Sequence, residues 1–167
     1  MQKKLIKLYW QPGIIKLIPE IAKCLEQIYP QLDIVKAGEM AINDGYDPSR
    51  YQYDALCLLK DLPDNELSLC IISEDIYYTG YRFLYGAAIK QKAIVSSFRS
   101  APGENLLKEA CHEVGHALGL THCRGRCLMH ISRSGRKLQK KPLRLCSHCR
   151  SKLDKVHSSA NSETIQT

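Results

Sequence analysis

An α/β fold with a largely parallel sheet follows from three observations on this 167-residue sequence. Short apolar runs of β type alternate with amphipathic stretches of helical length. The last of these stretches carries histidines at helical spacing. Beyond it large apolar residues thin out and cysteines arrive in two close pairs. Strand and helix in alternation favour parallel pairing, because a crossover helix returns the chain to the same end of the sheet. With 44% hydrophobic residues and no evident repeat, the chain can bury one core with at most a small appendage.

The elements follow in order. KKLIKLYW at 3–10, LDIVKA at 32–37 and LSLCIIS at 67–73 are β-type runs. A helix is predicted from Pro19, a comfortable first-turn residue, to Tyr29, and a second from Pro48 to Leu62 with Asp47 as its cap. Tyr81 to Ile89 and Ala93 to Phe98 are strand candidates around the polar KQK, and GENLLKEACHEVGHALG forms the long helix ending at Gly119. Residues 120–157 hold few large hydrophobes, although Lys152, Leu153 and Val156 suit a short closing helix. Residues 158–167 are polar, without periodicity, and are expected to fray. The predicted division is therefore 1–119, 120–157 and 158–167.

No apolar run approaches 18 residues, and the opening MQKKLIKLYW is broken by Lys7 before any leader-like stretch develops, so a cytoplasmic monomer without membrane attachment is expected. The formal charge of +7 is lopsided. Residues 1–122 hold 13 Lys and Arg against 15 Asp and Glu, whereas 123–167 hold 11 against 2. Arg124, Arg126, Arg133, Arg136, Lys137, Lys140, Lys141 and Arg144 could attract acidic peptides or nucleic acid; the simpler reading is a solvated lysine-rich loop. Cys24, Cys57 and Cys70 lie in apolar segments and read as small hydrophobes, as does Cys111.

The chemistry concentrates in HEVGHALGLTH at 112–122. Four residues of α-helix advance the chain by about 6 Å and over-rotate it by about 40°, so His112 and His116 project from one face. Glycine at 119 can take the left-handed conformation that ends a helix and returns His122 toward the same point. Three imidazoles leave one position of a tetrahedral zinc open, the arrangement of a catalytic site, and Glu113 stands beside the first ligand as candidate general base. With this composition the pattern arises by chance at ~2 × 10⁻⁵ per chain, so an amphipathic core helix explains the leucines but not the histidines. Directly after it come Cys123, Cys127, Cys146 and Cys149. Two close thiol pairs at short separation are the usual form of a structural zinc site; a redox CxxC or a disulfide is the competing reading.

HExxHxxGxxH followed at once by a cysteine, a second cysteine, a methionine and CxxC resembles the archaemetzincins. The resemblance covers 112–149 and departs in one respect, since three residues rather than four separate Cys123 from Cys127. It implies a catalytic zinc on His112, His116 and His122, Glu113 as general base, a second zinc on the four cysteines, and Met129 in the Met-turn beneath the catalytic metal. It also implies a metzincin-like layout: a twisted, mostly parallel sheet above, the zinc helix as the floor of a cleft, and a small zinc-stapled part after Gly119. The strand with Gly86, Ala87 and Ala88 would then border the cleft as an antiparallel edge to which an extended peptide adds.

These readings point to a zinc metallopeptidase with two Zn²⁺ and a peptide or protein substrate. The alternative from another class is a zinc-stabilised module that binds nucleic acid or acidic partners beside a silent histidine site, and hydrolysis of a non-peptide amide or ester is a third possibility.

Overall fold

The computed structural model describes residues 3–100, 102–156 and 166. In chain order the elements are β1 (Lys4–Trp10), a 3-10 turn at Ile15–Leu17, α1 (Ile18–Ile28), β2 (Leu32–Glu39), β3 (Tyr46–Asp47), β4 (Gln52–Asp54), α2 (Ala55–Asp61), β5 (Ser68–Ile72), β6 (Ile76–Tyr77), β7 (Gly86–Ile89), β8 (Lys92–Ser96), α3 (Ser97–Ser100), α4 (Glu104–Ala117), α5 (Gly135–Lys140) and α6 (Ser147–Val156). The main sheet has the order β2-β1-β5-β8-β7, parallel except for β7, which runs antiparallel to β8 at the edge. β3, β4 and β6 make a second, small sheet.

Parallel strands buried on both faces should read as continuous apolar runs, and β5 does: all five of its residues are buried. Its side chains alternate between two cores. Leu69 and Ile71 join the one built with α1 and α4, whereas Cys70 and Ile72 join the one under α2. β8 divides likewise, Ala93 and Val95 to the first and Ile94 to the second. α1 buries Ile18, Ile21, Ala22, Leu25 and Ile28 at helical spacing and carries the expected proline in its first turn. α4 packs beside it and beneath β7 and β8. A fully buried Leu or Val contributes ~2 kcal/mol. Leu106 and Val114 are such residues on α4, so the sheet, rather than helix propensity, fixes the floor of the site.

Four expectations need correction. Residues 48–54 are not helical: Asp47 caps a turn instead, its Oδ1 accepting from Ser49 N at 2.9 Å and Ser49 Oγ at 2.6 Å. Tyr51 then turns left-handed at φ 55°, which an α-helix excludes, and α2 starts late, on the Asp54 side chain accepting from Leu56 N at 2.8 Å. The strand expected from Tyr81 begins only at Gly86, because Leu84 bridges to Ile76 of the small sheet. The one expected to reach Phe98 stops at Ser96, whose Oγ accepts from Phe98 N at 3.1 Å and turns the chain into α3. The basic segment is not all solvated loop either. Ser134 caps α5 by accepting from Lys137 N, Leu138 is buried, and Lys141 is only 5% exposed.

After Gly119 the chain borrows its core. Leu120, Cys127, Leu128, Met129, Leu145, Cys149 and Leu153 join the cluster under the sheet rather than forming one of their own. The expected frayed tail falls outside the described residues except for Gln166, which makes an antiparallel bridge with Ala88 of β7. Among the described residues no helix is long and apolar enough to cross a membrane.

Candidate metal centre

α4 delivers His112 and His116 one turn apart, and both rings are nearly enclosed, at 2% and 5% exposure. Gly119 adopts φ 94°, with Gly119 N donating to His116 O and Leu120 N to Gly115 O. The left-handed turn expected at the helix end is therefore present, and it brings the exposed His122 back to the helix. His116 Nε2 lies 3.1 Å from His112 Nε2 and 3.2 Å from His122 Nε2.

Those short separations are informative because the other ring nitrogens are already engaged. His112 Nδ1 is 2.9 Å from Leu128 O and His116 Nδ1 is 2.8 Å from Leu120 O. A carbonyl can only accept, so each Nδ1 carries the proton and each Nε2 presents a lone pair. Burial holds the pKa of His112 well below the ordinary histidine value and that of His116 down to about 4, so both rings stay neutral. Lone pairs facing one another repel unless a cation lies between them. Tetrahedral ligands about 2.05 Å from zinc would stand ~3.3 Å apart, close to what is seen, so the three histidines fit the ion.

Glu113 is fully buried, and neither carboxylate oxygen has a hydrogen-bond partner. Burial, reinforced by the charge of Glu109, raises its pKa well above the usual carboxylate range. Such a group is costly unless a cation or a proton to be moved accounts for it. Gly86 explains how it fits: a methyl group there would sit 2.6 Å from Glu113 Cγ and 2.8 Å from Ile94 O. β7 and the Glu113 side chain are thus in direct contact. Ala87 and Ala88 are buried too, pointing to opposite faces of the edge.

Cys123, Cys127, Cys146 and Cys149 bring their sulfurs within 4.8 Å of one another, with 3.8 Å between Cys123 and Cys146. Thiolates at 2.3 Å from a tetrahedral zinc stand ~3.8 Å apart, so this set fits as well. Backbone amides point at the sulfurs: Gly125 N at Cys123, and Met129 N and Cys146 N at Cys127. The amide of Cys149 pulls the Cys146 thiol down to about 7, toward the thiolate that a metal takes. Cys24 and Cys111 form a separate buried pair, their sulfurs 3.4 Å apart.

Met129 packs against the turn of α4 between His112 and His116. Gly115 permits this, since a methyl group there would run into Met129 Sδ and lie 2.8 Å from Tyr29 Oη. Tyr29 donates to Cys111 O at 2.6 Å, pinning α1 to the same turn.

Sequence reasoning missed one group beside the histidines. Lys141 Nζ lies 3.2 Å from Glu109 Oε1, 3.2 Å from His112 Nδ1 and 3.3 Å from His130 O, and the lysine and glutamate side chains are 1% and 6% exposed. Glu109 stands one turn before Glu113, a usable hint, but nothing in a run of lysines and arginines marks the one that turns inward.

A model of peptidase family M54 matches residues 47–155. An archaemetzincin of Archaeoglobus fulgidus is 33% identical over 159 residues, covering 89% of this chain and 99% of the relative. One from Nanoarchaeum equitans is 38% identical over 120 residues, covering 69% and 71%. Among solved structures, the archaemetzincin of Methanopyrus kandleri aligns at a TM-score of 0.83 with 26% identity over 95% of this chain and 97% of its own. That of A. fulgidus, complexed with malonate, aligns at 0.80 with 30% identity over 89% and 99%. Together with the donor groups just described, these matches lead to one conclusion: the chain belongs to peptidase family M54, the archaemetzincins, and is a zinc metallopeptidase.

Proposed function

We propose that the chain hydrolyses peptide bonds with Glu113 as general base, His112, His116 and His122 holding a catalytic zinc, and Cys123, Cys127, Cys146 and Cys149 holding a second, structural zinc. The observation that carries the reading is the pairing of three convergent Nε2 atoms with a buried carboxylate lacking any partner. Zinc held there would acidify a water and polarise the carbonyl under attack. Glu113 takes a proton from the attacking water as the water oxygen bonds to the carbonyl carbon, then delivers it to the departing amine nitrogen as the C–N bond breaks. Enclosure of the carboxyl raises its proton affinity, which suits a group that must hold the proton between the two steps. The histidines hold the ion, and the carbonyls of Leu120 and Leu128 hold two of the histidines.

The backbone of Gly86, Ala87 and Ala88 presents the extended substrate, because β7 ends the main sheet and abuts the base. Residues 1–119 form the upper wall of the cleft and 120–157 the lower, with Met129 as the floor contact between them. Eight unpaired thiols suit a reducing compartment, in keeping with a cytoplasmic monomer.

The Glu113→Gln variant tests the assignment. Wild type should cleave members of a peptide library and carry two equivalents of zinc, and the variant should keep both ions while losing turnover. Cleavage retained by a clean variant preparation removes Glu113 from the mechanism, and a single equivalent of zinc in wild type removes the second site.

A further inference from the structure

We propose that this chain occupies its own substrate edge: the main chain of Gln166 takes, in cis, a strand position along β7 that an extended peptide uses, and so weakens binding of substrates elongated on the amino side of the cleaved bond. The inference rests on the peptidase reading above and adds a self-competing contact to it.

The contact is made by the main chain in both directions. Ala88 N donates to Gln166 O at 2.8 Å, and Gln166 N donates to Ala88 O at 2.7 Å, a complete antiparallel pair. β7 has β8 on one side only, so these Ala88 groups are the ones an added strand would use. Although Ala88 belongs to an edge strand, it is only 1% exposed. Its position matters more than the number of bonds. Ala88 lies two residues, ~7 Å, from Gly86. Gly86 in turn touches the Glu113 side chain. Gln166 and the catalytic base are therefore met two residues apart along one strand.

Polarity defines what is blocked. A strand antiparallel to β7 runs toward the Gly86 end as it proceeds from amino to carboxyl terminus. A substrate added in that sense reaches the base after passing Ala88, so the residue opposite Ala88 belongs to its amino side. Gln166 stands in that place. Recognition through the main chain is indifferent to side chain, which explains how a glutamine within a polar stretch can serve.

The test compares zinc-loaded wild type, Gln166→Ala and Gln166→Pro. Alanine keeps both backbone bonds, whereas proline has no N–H to give Ala88 O. Two readouts are taken: hydrogen exchange at the Ala88 amide, and the affinity of a peptidyl hydroxamate bearing several residues on its amino side, with KM and kcat for a matched substrate. Gln166→Pro should expose the Ala88 amide and tighten hydroxamate binding and KM about fivefold, the effect of freeing an edge held by one or two net backbone hydrogen bonds, with kcat unchanged. Gln166→Ala should match wild type. Unchanged exchange in the proline variant overturns the contact, and faster exchange with unchanged affinity and KM overturns the competition. Failure of the peptidase reading has its own signature, no turnover and no hydroxamate binding by any of the three chains, and it removes the inference as well.

Discussion

The two donor groups meet at adjacent residues, His122 and Cys123, yet they are supported in opposite ways. His112 and His116 stand on a helix whose Leu106, Ala110, Val114 and Ala117 are buried under a five-stranded sheet. The four cysteines stand on loops and at the start of α6, in a stretch that contributes side chains to the sheet's core but has no cluster of its own. The first region is shaped by apolar burial before any ion arrives. The second, with its basic residues and short helices, lacks such support, and a metal held by its thiols would supply the missing cross-links. In such a molecule the metal affinity of the preorganised site should depend on the order of the other, because Leu128 and Met129 lie between two of the four thiols and the helix.

Chelation gives the largest expected effect. Stripping zinc should abolish activity, raise amide exchange throughout 120–156 and leave β1, β5 and β8 protected; a uniform loss of protection across the chain would abolish the contrast. Lys141→Met comes next. It strands Glu109 in the core beside the active helix and should cost ~3–5 kcal/mol in urea unfolding, with most of that recovered in the Glu109→Met, Lys141→Met double variant. A cost near zero would mean that the lower segment is not clamped to α4 through this pair.

A smaller effect is expected for Cys146→Ser, which touches no substrate. Zinc content should fall at both groups and kcat/KM by about tenfold, since the segment orienting His112 loosens. Full metal content and unchanged rates would show the two groups to be independent. Gly115→Ala, which removes no donor group, comes last. Crowding Met129 Sδ and the hydrogen-bonded Tyr29 hydroxyl should cost ~2 kcal/mol, within the range for overpacking, because the thioether can swing aside but the tyrosine cannot. A thermal midpoint equal to wild type would show that the contact of Met129 and Tyr29 with α4 is loose.

The same contrast governs what could be read in advance. β1, β2, β5, α1 and α4 were legible because their period is set by burial against one sheet, and the turn at Gly119 because a glycine at a helix end readily takes the left-handed conformation. The two donor groups were legible from spacing, and the family resemblance placed β7 at an antiparallel edge. Residues 48–54 were misread as helix because Asp47 and Pro48 imitate a helix start, while the left-handed turn at Tyr51 carries no strong residue signal. The inward turn of Lys141 was invisible because its partner Glu109 is 32 positions away and its neighbours in the chain are equally charged. The touch between Gly86 and Glu113 was hidden for the same reason: it joins a strand to a helix far along the chain, and a glycine records only that a side chain is absent.

Both inner histidines are oriented by peptide carbonyls, those of residues 120 and 128, rather than by carboxylates or amides of side chains. No single amino-acid replacement deletes an acceptor of that kind. These acceptors are therefore shielded from point mutation at the very positions that supply them, and they can be withdrawn from the rings only by moving the main chain itself.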